Sequence, residues 1–363
     1  MDAKLFNNRS FSLSGTLLFL ILSVGMAIAA LILDGVGDRT WSNAASLTMP
    51  LLISGLASAG IGFWAVPFLK ALKAGQIIRE DGPRSHLKKA GTPTMGGAFF
   101  IPVAVLVALI LTGFSGDVVA VSLLTLGYAA IGFVDDWQII RQKSNKGISP
   151  RMKLGLQIGF AIAFCLWLMI AHPLLTTLAL PLGIMLPLGS LFGLLACFVL
   201  VAESNATNLT DGMDGLAGGT VAIAFLGLGA IVAPNSLDLM TFCTCMSGAC
   251  LGFLVHNRNP ARVFMGDTGS LALGGGLAAV GLLSNSLFAL LILSGLFFWE
   301  TISVIIQVSY FKATKDHNGV GKRFFRMSPF HNHLELSGWT ETQVVGWFYA
   351  IAGILAALSL AIR

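Results

Sequence analysis

The sequence predicts an all-α integral membrane protein with many membrane-spanning helices. Hydrophobic residues make up 55% of its 363 residues and charged residues only 11%, whereas roughly a quarter of the residues of a soluble domain are charged. Apolar runs of about 17 to 25 residues recur from end to end, which is the length that crosses a bilayer as a helix. No long polar segment separates them, so we expect a single transmembrane domain over residues 1–363.

Eleven of these apolar runs are predicted to form helices. The predicted spans are residues 12–34, 47–69, 97–113, 117–134, 154–172, 188–204, 215–233, 238–255, 269–284, 287–310 and 344–361. The first run is too long for the apolar part of a cleavable signal peptide and is expected to be an anchor. The apolar, proline-containing segment 173–187 is too short to cross twice. We interpret it as a hairpin or a surface-lying piece.

Basic residues fall almost entirely on one side of this topology. Of the 22 Lys and Arg residues, all except Arg39 and Arg363 lie in connections that alternate to the same side. The positive-inside rule makes that side cytoplasmic, so we expect a cytoplasmic N-terminus and an external C-terminus. The topology accounts for the net charge of +5 without a nucleic-acid partner.

A polar strip from Asn205 to Gly215 separates the sixth and seventh predicted helices. Its polar groups would have no partners in hydrocarbon, so the strip must lie at a face of the membrane. If the strip continues as a helix, Asp211 and Asp214 are three residues apart and share one face. The alternative is that its Asn and Asp residues only cap helices around glycine.

A second acidic group, Asp135 and Asp136, stands at the cytoplasmic end of the fourth predicted helix. Adjacent carboxylates there oppose the helix dipole and repel each other. A bound cation would relieve the repulsion, and Mg²⁺ commonly joins one or two carboxylates to substrate phosphates. They could instead be solvated surface acids near Arg141 and Lys143.

Two further cytoplasmic segments lie next to predicted helix starts. The segment from His86 to Gly97 places basic side chains before a loop rich in glycine and hydroxyl groups, a pattern that suits a phosphate or nucleotide. An ordinary positive-inside loop is the alternative. Asp267, where the ninth helix begins, could cap that helix or place a carboxylate beside a metal-bound phosphate.

The last polar segment contains His331 and His333 and follows a basic cluster of Lys322, Arg323 and Arg326. Histidines in such surroundings can bind phosphate or move protons. Glu300, inside the tenth predicted helix, is an intramembrane carboxylate that either has a function or makes a structural hydrogen bond.

Together these segments resemble the phospho-N-acetylmuramoyl-pentapeptide-transferase family, which belongs to the polyprenyl-phosphate sugar-1-phosphate transferases (glycosyltransferase family 4). The resemblance rests on five motifs in order: His86-x-x-Lys89-x-Gly91-Thr-Pro-Thr-Met-Gly-Gly97, Asp135-Asp136, Asn208-Leu-Thr-Asp211-Gly-Met-Asp214-Gly, Phe264-Met-Gly-Asp267-Thr-Gly-Ser270 and Pro329-Phe-His331-Asn-His333. It covers the chain from about residue 47 onward. The helix and loop of residues 1–46 are unmatched.

The resemblance implies an enzyme that transfers phospho-N-acetylmuramoyl-pentapeptide from its UDP carrier to undecaprenyl phosphate. The products would be lipid I and UMP, in the first membrane step of peptidoglycan synthesis. It further implies a requirement for Mg²⁺, a place in the bacterial inner membrane, and an active site on the cytoplasmic face. A homodimer is compatible with it.

Carried over by motif, the resemblance also assigns roles to residues. The catalytic carboxylates would be Asp135, Asp136 and Asp267. The Mg²⁺ ligands would be Asp267, Asn208, Asp135 and Asp136. The substrate-binding residues would be Lys89, Thr94, Asn208, Asp211, Gly212, Met213, Asp214, Asn257, Phe264, His331 and His333.

Two departures and two alternatives accompany the resemblance. Ile139 stands where the family usually has a Lys, so a phosphate contact expected there is either absent or supplied by Arg141. Asn332 replaces the middle of three histidines. A sister transferase that uses UDP-N-acetylglucosamine would share the acidic motifs. A transporter would be expected to place polar groups near the middle of the membrane, whereas here they cluster on one face.

Overall fold

A computed structural model describes residues 14–72, 89, 91–142 and 147–362. Some residues used in the sequence argument lie outside the described residues: Lys4, Arg9, Lys73, Arg79, Arg84, His86, Lys88, Lys143, Lys146 and Arg363.

Helices dominate the described part of the chain. They are α1 (Gly15–Val36), α2 (Thr48–Ala71), α3 (Gly97–Leu111), α4 (Gly116–Gln142), α5 (Pro150–Ala171), α6 (Leu191–Thr210), α7 (Leu216–Val232), α8 (Leu237–Asn257), α9 (Gly266–Leu283), α10 (Leu287–Leu293), α11 (Gly295–Ala313), α12 (Phe330–Leu336) and α13 (Glu341–Ala361). Within this part, seven helices are long and apolar enough to cross a membrane: α1, α2, α4, α5, α6, α8 and α13. The bent pair of α10 and α11 would make an eighth. The predicted all-α polytopic membrane fold is confirmed, while the number of spans and the orientation of the termini stay predictions.

Each predicted apolar run coincides with helix, but two helices are longer than predicted where it matters for function. α4 continues to Gln142, so Asp135 and Asp136 lie inside the helix rather than at its end. α6 continues to Thr210, so the first half of the polar strip is helical. A helix can extend past an apolar run because its backbone hydrogen bonds are satisfied internally.

The predicted span 287–310 is two helices rather than one. α10 and α11 are bent by 68° at the break. Buried Ser294 stands between them and donates its Oγ to Oε1 of Glu203 at 2.6 Å. Ser294 and Gly295 form a Ser-Gly pair, at which sharp kinks are common. Because hydropathy is continuous across the break, the apolar pattern alone predicts a straight helix.

The centre of the fold is α8, of which 94% of the most apolar stretch is buried, against 22% for α1 and 28% for α5 and α13. Glycines bring α2 against it: a Cβ on Gly248 would lie 2.1 Å from the carbonyl oxygen of Leu51. Small residues let backbones approach in this way in membrane proteins. The less buried outer helices direct apolar side chains away from the protein.

The unmatched helix α1 is joined to the rest of the chain near both ends. Asp34 accepts hydrogen bonds from the backbone N–H of Leu47 at 2.8 Å and from the N–H and hydroxyl of Thr48 at 3.0 and 2.7 Å. A carboxylate at this position stabilises the N-terminus of α2. At the opposite end, the Nε of Arg258 donates to the hydroxyl of Thr16 at 3.3 Å.

Segment 173–187 contains the expected hairpin. Its strands β1 (Thr177–Ala179) and β2 (Met185–Pro187) are antiparallel, with Thr177 opposite Pro187. The hairpin connects α5 to α6.

Candidate active site

The N-terminus of α9 is packed tightly against α3 and α4. A Cβ on Gly97 would lie 2.2 Å from the backbone nitrogen of Gly269, and a Cβ on Gly132 would lie 2.2 Å from the backbone carbonyl of Asp267. Gly266, the first residue of α9, has a φ of +73°, which glycine adopts readily. The three glycines therefore allow the polar ends of these helices to meet.

Asp136 of α4 caps α9 from the side. Its Oδ1 accepts from the backbone N–H of Asp267 at 3.2 Å, and its Oδ2 accepts from the N–H and hydroxyl of Thr268 at 3.0 and 2.6 Å. A carboxylate at a helix N-terminus is stabilised by unpaired N–H groups and by the helix dipole. Because both oxygens are engaged, Asp136 orients the Asp267 backbone in this arrangement.

Asp267 is held by two further side chains. Its Oδ1 accepts from the amide nitrogen of Asn208 at 2.7 Å, and its Oδ2 forms an ion pair with Lys153 of α5. Asn208 also donates to the hydroxyl of Ser270 at 2.8 Å. Lys153 is absent from the sequence-based site. Arg141, a candidate source of a phosphate contact, is exposed on the last turn of α4.

Asp135 lies beside Asp267. Their carboxyl groups are near enough to interact electrostatically, and Asp135 also accepts from the backbone N–H of Ile148 at 2.8 Å. Two carboxylates this close repel unless a proton or cation lies between them. The ammonium of Lys153 supplies positive charge at this point.

The same pair offers the hard oxygen ligands that Mg²⁺ prefers, which it usually supplements with water and substrate phosphates. Among the described residues, no group of three or more His, Cys, Asp and Glu side chains has the arrangement of a metal site. Asp136 uses both oxygens on α9, and Asn208 turns its amide nitrogen toward Asp267. Asp135 and Asp267 are thus the two predicted ligands whose chemistry fits a shared cation here.

Asp211 begins the turn that joins α6 to α7. Because α6 ends at Thr210 and α7 begins at Leu216, Asp211 and Asp214 lie in a turn and do not share a helix face. Burial raises the pKa of Asp211 to about 8, and the neighbouring carboxylates, Asp267 first among them, add to the shift. In the same turn, Met213 is buried and Gly212 is exposed.

A second charged cluster surrounds Asp214. Its Oδ1 is 2.7 Å from the ammonium of Lys89, and its Oδ2 accepts from the backbone N–H of Ala261 at 2.9 Å. Glu341 of α13 contacts the same ammonium, accepts from the N–H of Asp214 at 2.8 Å, and accepts from the amide of Asn259 at 2.9 Å. Burial alone would lower the pKa of Lys89, but Glu341 and Asp214 raise it above its ordinary value. Glu341, too, is absent from the sequence-based site.

The motif that ends at Gly97 pairs with the segment before α9 through its backbone. The N–H of Phe264 donates to the carbonyl of Pro93 at 2.8 Å, and the N–H of Gly96 donates to the carbonyl of Phe264 at 2.8 Å. Thr94 is buried, with its hydroxyl 2.8 Å from where a Cβ on Gly266 would stand. Two motifs far apart in the sequence thus form one structural unit.

Asn257 links this unit to the Asp211 turn. Its Oδ1 accepts from the N–H of Gly215 at 2.9 Å, and its Nδ2 donates to the carbonyl of Val263 at 2.8 Å. Both ends of the amide are therefore used inside the protein. This arrangement gives Asn257 a scaffolding contact beside the predicted nucleotide side of the site.

The histidine segment approaches the turn from α12. His331 is buried against Glu300, and a Cβ on Gly212 would lie 2.1 Å from its Nε2. His333 is half-buried, and its Nδ1 accepts from the backbone N–H of Arg326 at 3.1 Å. Asn332, which replaces a family histidine, is buried. Of the two predicted histidines, His331 is thus the one that reaches the turn.

The structure therefore brings the predicted residues together in two clusters and a turn. Asp135, Asp136, Asn208 and Asp267 form the first cluster with Lys153; Lys89 and Asp214 form the second with Glu341. The turn 211–215 follows Asn208 of the first cluster, contains Asp214 of the second, and receives His331. Carboxylates, a lysine and an amide that converge at helix ends can bind a phosphorylated substrate and move a proton.

Two family models match parts of the sequence. The family model described as glycosyl transferase family 4 matches residues 118–285, and phospho-N-acetylmuramoyl-pentapeptide-transferase signature 1 matches residues 89–101.

Similar proteins extend over the whole chain. A phospho-N-acetylmuramoyl-pentapeptide-transferase of Nostoc sp. is 67% identical over 364 residues, which covers 100% of this chain and 99% of the relative. Transferases of the same name from Nostoc punctiforme and Gloeothece citriformis are 64% and 59% identical, covering 99% and 100% of this chain and 100% of each relative. The coverage includes α1, which the five motifs left unmatched. The chain belongs to the phospho-N-acetylmuramoyl-pentapeptide-transferase family.

Proposed function

We propose that this protein transfers phospho-N-acetylmuramoyl-pentapeptide from UDP-N-acetylmuramoyl-pentapeptide to undecaprenyl phosphate, releasing UMP and forming lipid I. The observation that carries the proposal is the convergence of Asp135, Asn208 and Asp267 where apolar stretches of three helices give way to polar residues. A lipid phosphate must remain in the bilayer while its partner arrives from water. A polar cluster at helix ends is accessible to both.

In the proposed reaction the first cluster binds the phosphates and accepts a proton from the acceptor. Asn208 and Lys153 hold the carboxylate of Asp267, while Asp136 fixes its backbone. Asp135 would take the remaining proton of the acceptor phosphate, which makes that oxygen a better nucleophile. The ammonium of Lys153 would offset negative charge near the reacting groups.

The proposed reaction includes Mg²⁺, and Asp135 and Asp267 are the residues that would hold it. When bound, it would neutralise diphosphate charge and stabilise the departing UMP. The donor's nucleotide would lie toward the second cluster, where Lys89 supplies a positive charge and Asp214 an acceptor.

The positive-inside pattern supports a cytoplasmic site in the bacterial inner membrane. The basic residues Lys89 and Lys153 belong to the two clusters, and Arg258 directly follows α8. A homodimer stays a prediction, which light scattering of the purified protein tests.

A release assay tests the function directly. Purified protein with UDP-N-acetylmuramoyl-pentapeptide, undecaprenyl phosphate and Mg²⁺ is expected to release UMP. Release from UDP-N-acetylglucosamine instead would identify the sister transferase, and the absence of UMP from both donors would contradict the proposal.

Two variants test whether UMP release depends on the first cluster. Asp267→Asn is expected to abolish release because the carboxylate at the centre of the first cluster is lost. Asp238→Asn, which changes a carboxylate in the first turn of α8, is expected to keep normal release. Normal release by Asp267→Asn would remove that residue from the catalytic set.

A further inference from the structure

Glu300 and His331 form a buried pair that the proposed reaction leaves unused. Glu300 lies in α11 with 0% of its side chain exposed, and His331 begins α12 with 1% exposed. Oε1 of Glu300 accepts from the backbone N–H of His331 at 3.2 Å, and Oε2 lies 3.1 Å from the imidazole Nδ1. A carboxylate oxygen accepts hydrogen bonds, so this contact favours the tautomer whose hydrogen is on Nδ1.

The other ring nitrogen of His331, Nε2, faces the turn 211–215. Nε2 of His331 is buried and has no hydrogen-bond partner within the described residues. It faces Gly212, where a Cβ would lie only 2.1 Å away. A buried polar atom without a partner costs free energy. A polar group of a bound substrate at the 211–215 turn would recover that free energy.

The two bonds to Glu300 have different consequences. The bond to the backbone N–H attaches the first turn of α12 to α11, which is a structural role. The bond to Nδ1 acts on the ring, because the hydrogen bond at one imidazole nitrogen decides the orientation and protonation of the other. Only the second bond determines how Nε2 meets a substrate.

We propose that Glu300 is a positioning residue for the transferase reaction. By accepting the Nδ1 proton of His331, it fixes the imidazole so that Nε2 contacts a polar group of the nucleotide-sugar donor beside Asp211 and Gly212. This inference rests on the proposed function, because that function places the donor at the turn.

Glu300→Gln separates the two roles. The new side chain has one oxygen and one NH₂ group where glutamate has two oxygens. The backbone N–H of His331 lies nearer to Oε1, at 3.2 Å, than to Oε2, at 3.4 Å, so we expect the amide oxygen at the Oε1 position. The NH₂ group then faces Nδ1 and turns that nitrogen into an acceptor. Nε2 must then carry the proton. The attachment of α12 is kept while the protonation of the imidazole is inverted.

The expected result is a fall of about tenfold or more in kcat for UMP release, with a thermal midpoint close to that of the wild type. Loss of the orienting carboxylate in a Ser-His-Asp site has an effect of this kind. In a background of His331→Ala, Glu300→Gln is expected to cause no further fall. A wild-type kcat in Glu300→Gln, or effects that multiply in the double variant, would overturn the proposal.

Nitrogen-15 NMR of histidine-labelled protein tests the geometry without turnover. The His331 signal is identified by its absence in His331→Asn. The wild type is expected to show a protonated Nδ1, and its Nε2 signal is expected to shift when UDP-N-acetylmuramoyl-pentapeptide is added. An unprotonated Nδ1, or an Nε2 signal unmoved by saturating donor, would overturn the proposal even if Glu300→Gln fails to fold.

A matched control comes from the other described histidine-carboxylate pair, His172 and Asp117, which are 2.8 Å apart. Asp117→Asn is expected to leave kcat unchanged. If the wild type releases no UMP, the proposed function fails, whereas the protonation of Nδ1 is still measured independently.

Discussion

Asp267 receives its orientation from residues on three other helices. Asp136 comes from α4, Lys153 from α5 and Asn208 from α6, so the carboxylate is fixed before a substrate arrives. Fixed groups stabilise developing charge without having to reorganise during the reaction. Nearby Asp211 is a further acidic group, and burial together with the negative charge of this cluster raises its pKa.

Asp211→Asn is expected to change how stability depends on pH. Burial raises the pKa of Asp211 to about 8, whereas an aspartate in an unfolded chain titrates near pH ~4. Between these values the folded state keeps a proton that the unfolded state has lost. The contribution of this residue to the free energy of unfolding therefore falls as the pH rises.

Thermal midpoints of the wild type and Asp211→Asn between pH 5 and 8 check this expectation. The difference between variant and wild type should become more favourable to the variant toward pH 8, because asparagine does not ionise. A difference that is constant, or that grows toward low pH, would contradict the raised pKa.

Sequence reasoning found most of the residues in the first cluster but missed two that complete the site. Lys153 lies 114 residues before Asp267, and Glu341 lies 252 residues after Lys89. Neither belongs to one of the five motifs, and each stands at or near the start of an otherwise apolar helix. An ion pair between such distant positions depends on how helices pack, which local spacing does not determine.

At the level of helices, the site depends on close contacts at the N-terminus of α9. Gly132 leaves room for the backbone of Asp267, and Gly97 leaves room for Gly269. Added methyl groups in such contacts force backbones apart, typically at about 1–3 kcal/mol.

Gly132→Ala is expected to lower the thermal midpoint and to reduce UMP release at least tenfold, since α4 also carries Asp135 and Asp136. Gly155→Ala in α5 is the control, because a Cβ there meets no atom within 4 Å. Equal activity and stability in the two variants would show that α4 and α9 can separate without harm.

The helices themselves were largely predictable, but some of their ends and bends were not. Apolar runs mark the part of a helix that lies in hydrocarbon, so they miss the polar turns that take α4 to Gln142 and α6 to Thr210. The apolar pattern does not reveal the break at Ser294, because apolar residues continue on both sides of it. A buried bond to Glu203 on another helix accompanies the bend.

Across the whole molecule, the second cluster, which contains Lys89, Asp214 and Glu341, joins distant parts of the chain. Glu341 at the start of α13 holds Lys89, the backbone of Asp214 and the side chain of Asn259. Its side chain is 11% exposed. Hydrogen bonds to a charged group in such surroundings contribute about 1.5–3 kcal/mol.

Glu341→Gln is expected to lower the thermal midpoint and to raise the KM for the nucleotide donor, because the lysine loses one of its two carboxylate partners and Asp214 loses part of its support. Asp38→Asn, at an exposed carboxylate, is the control. A KM and a thermal midpoint equal to those of the wild type would contradict a joining role for Glu341.

The contact between Lys89 and Glu341 also sets an order of events during biosynthesis. A ribosome makes Lys89 early and Glu341 only 22 residues before the last residue of this sequence. A nascent chain that has inserted every earlier helix still lacks the carboxylate that joins Lys89, Asp214 and Asn259. A product truncated before Glu341 would therefore enter the membrane with this cluster unfinished, because Glu341 follows Lys89 by 252 residues.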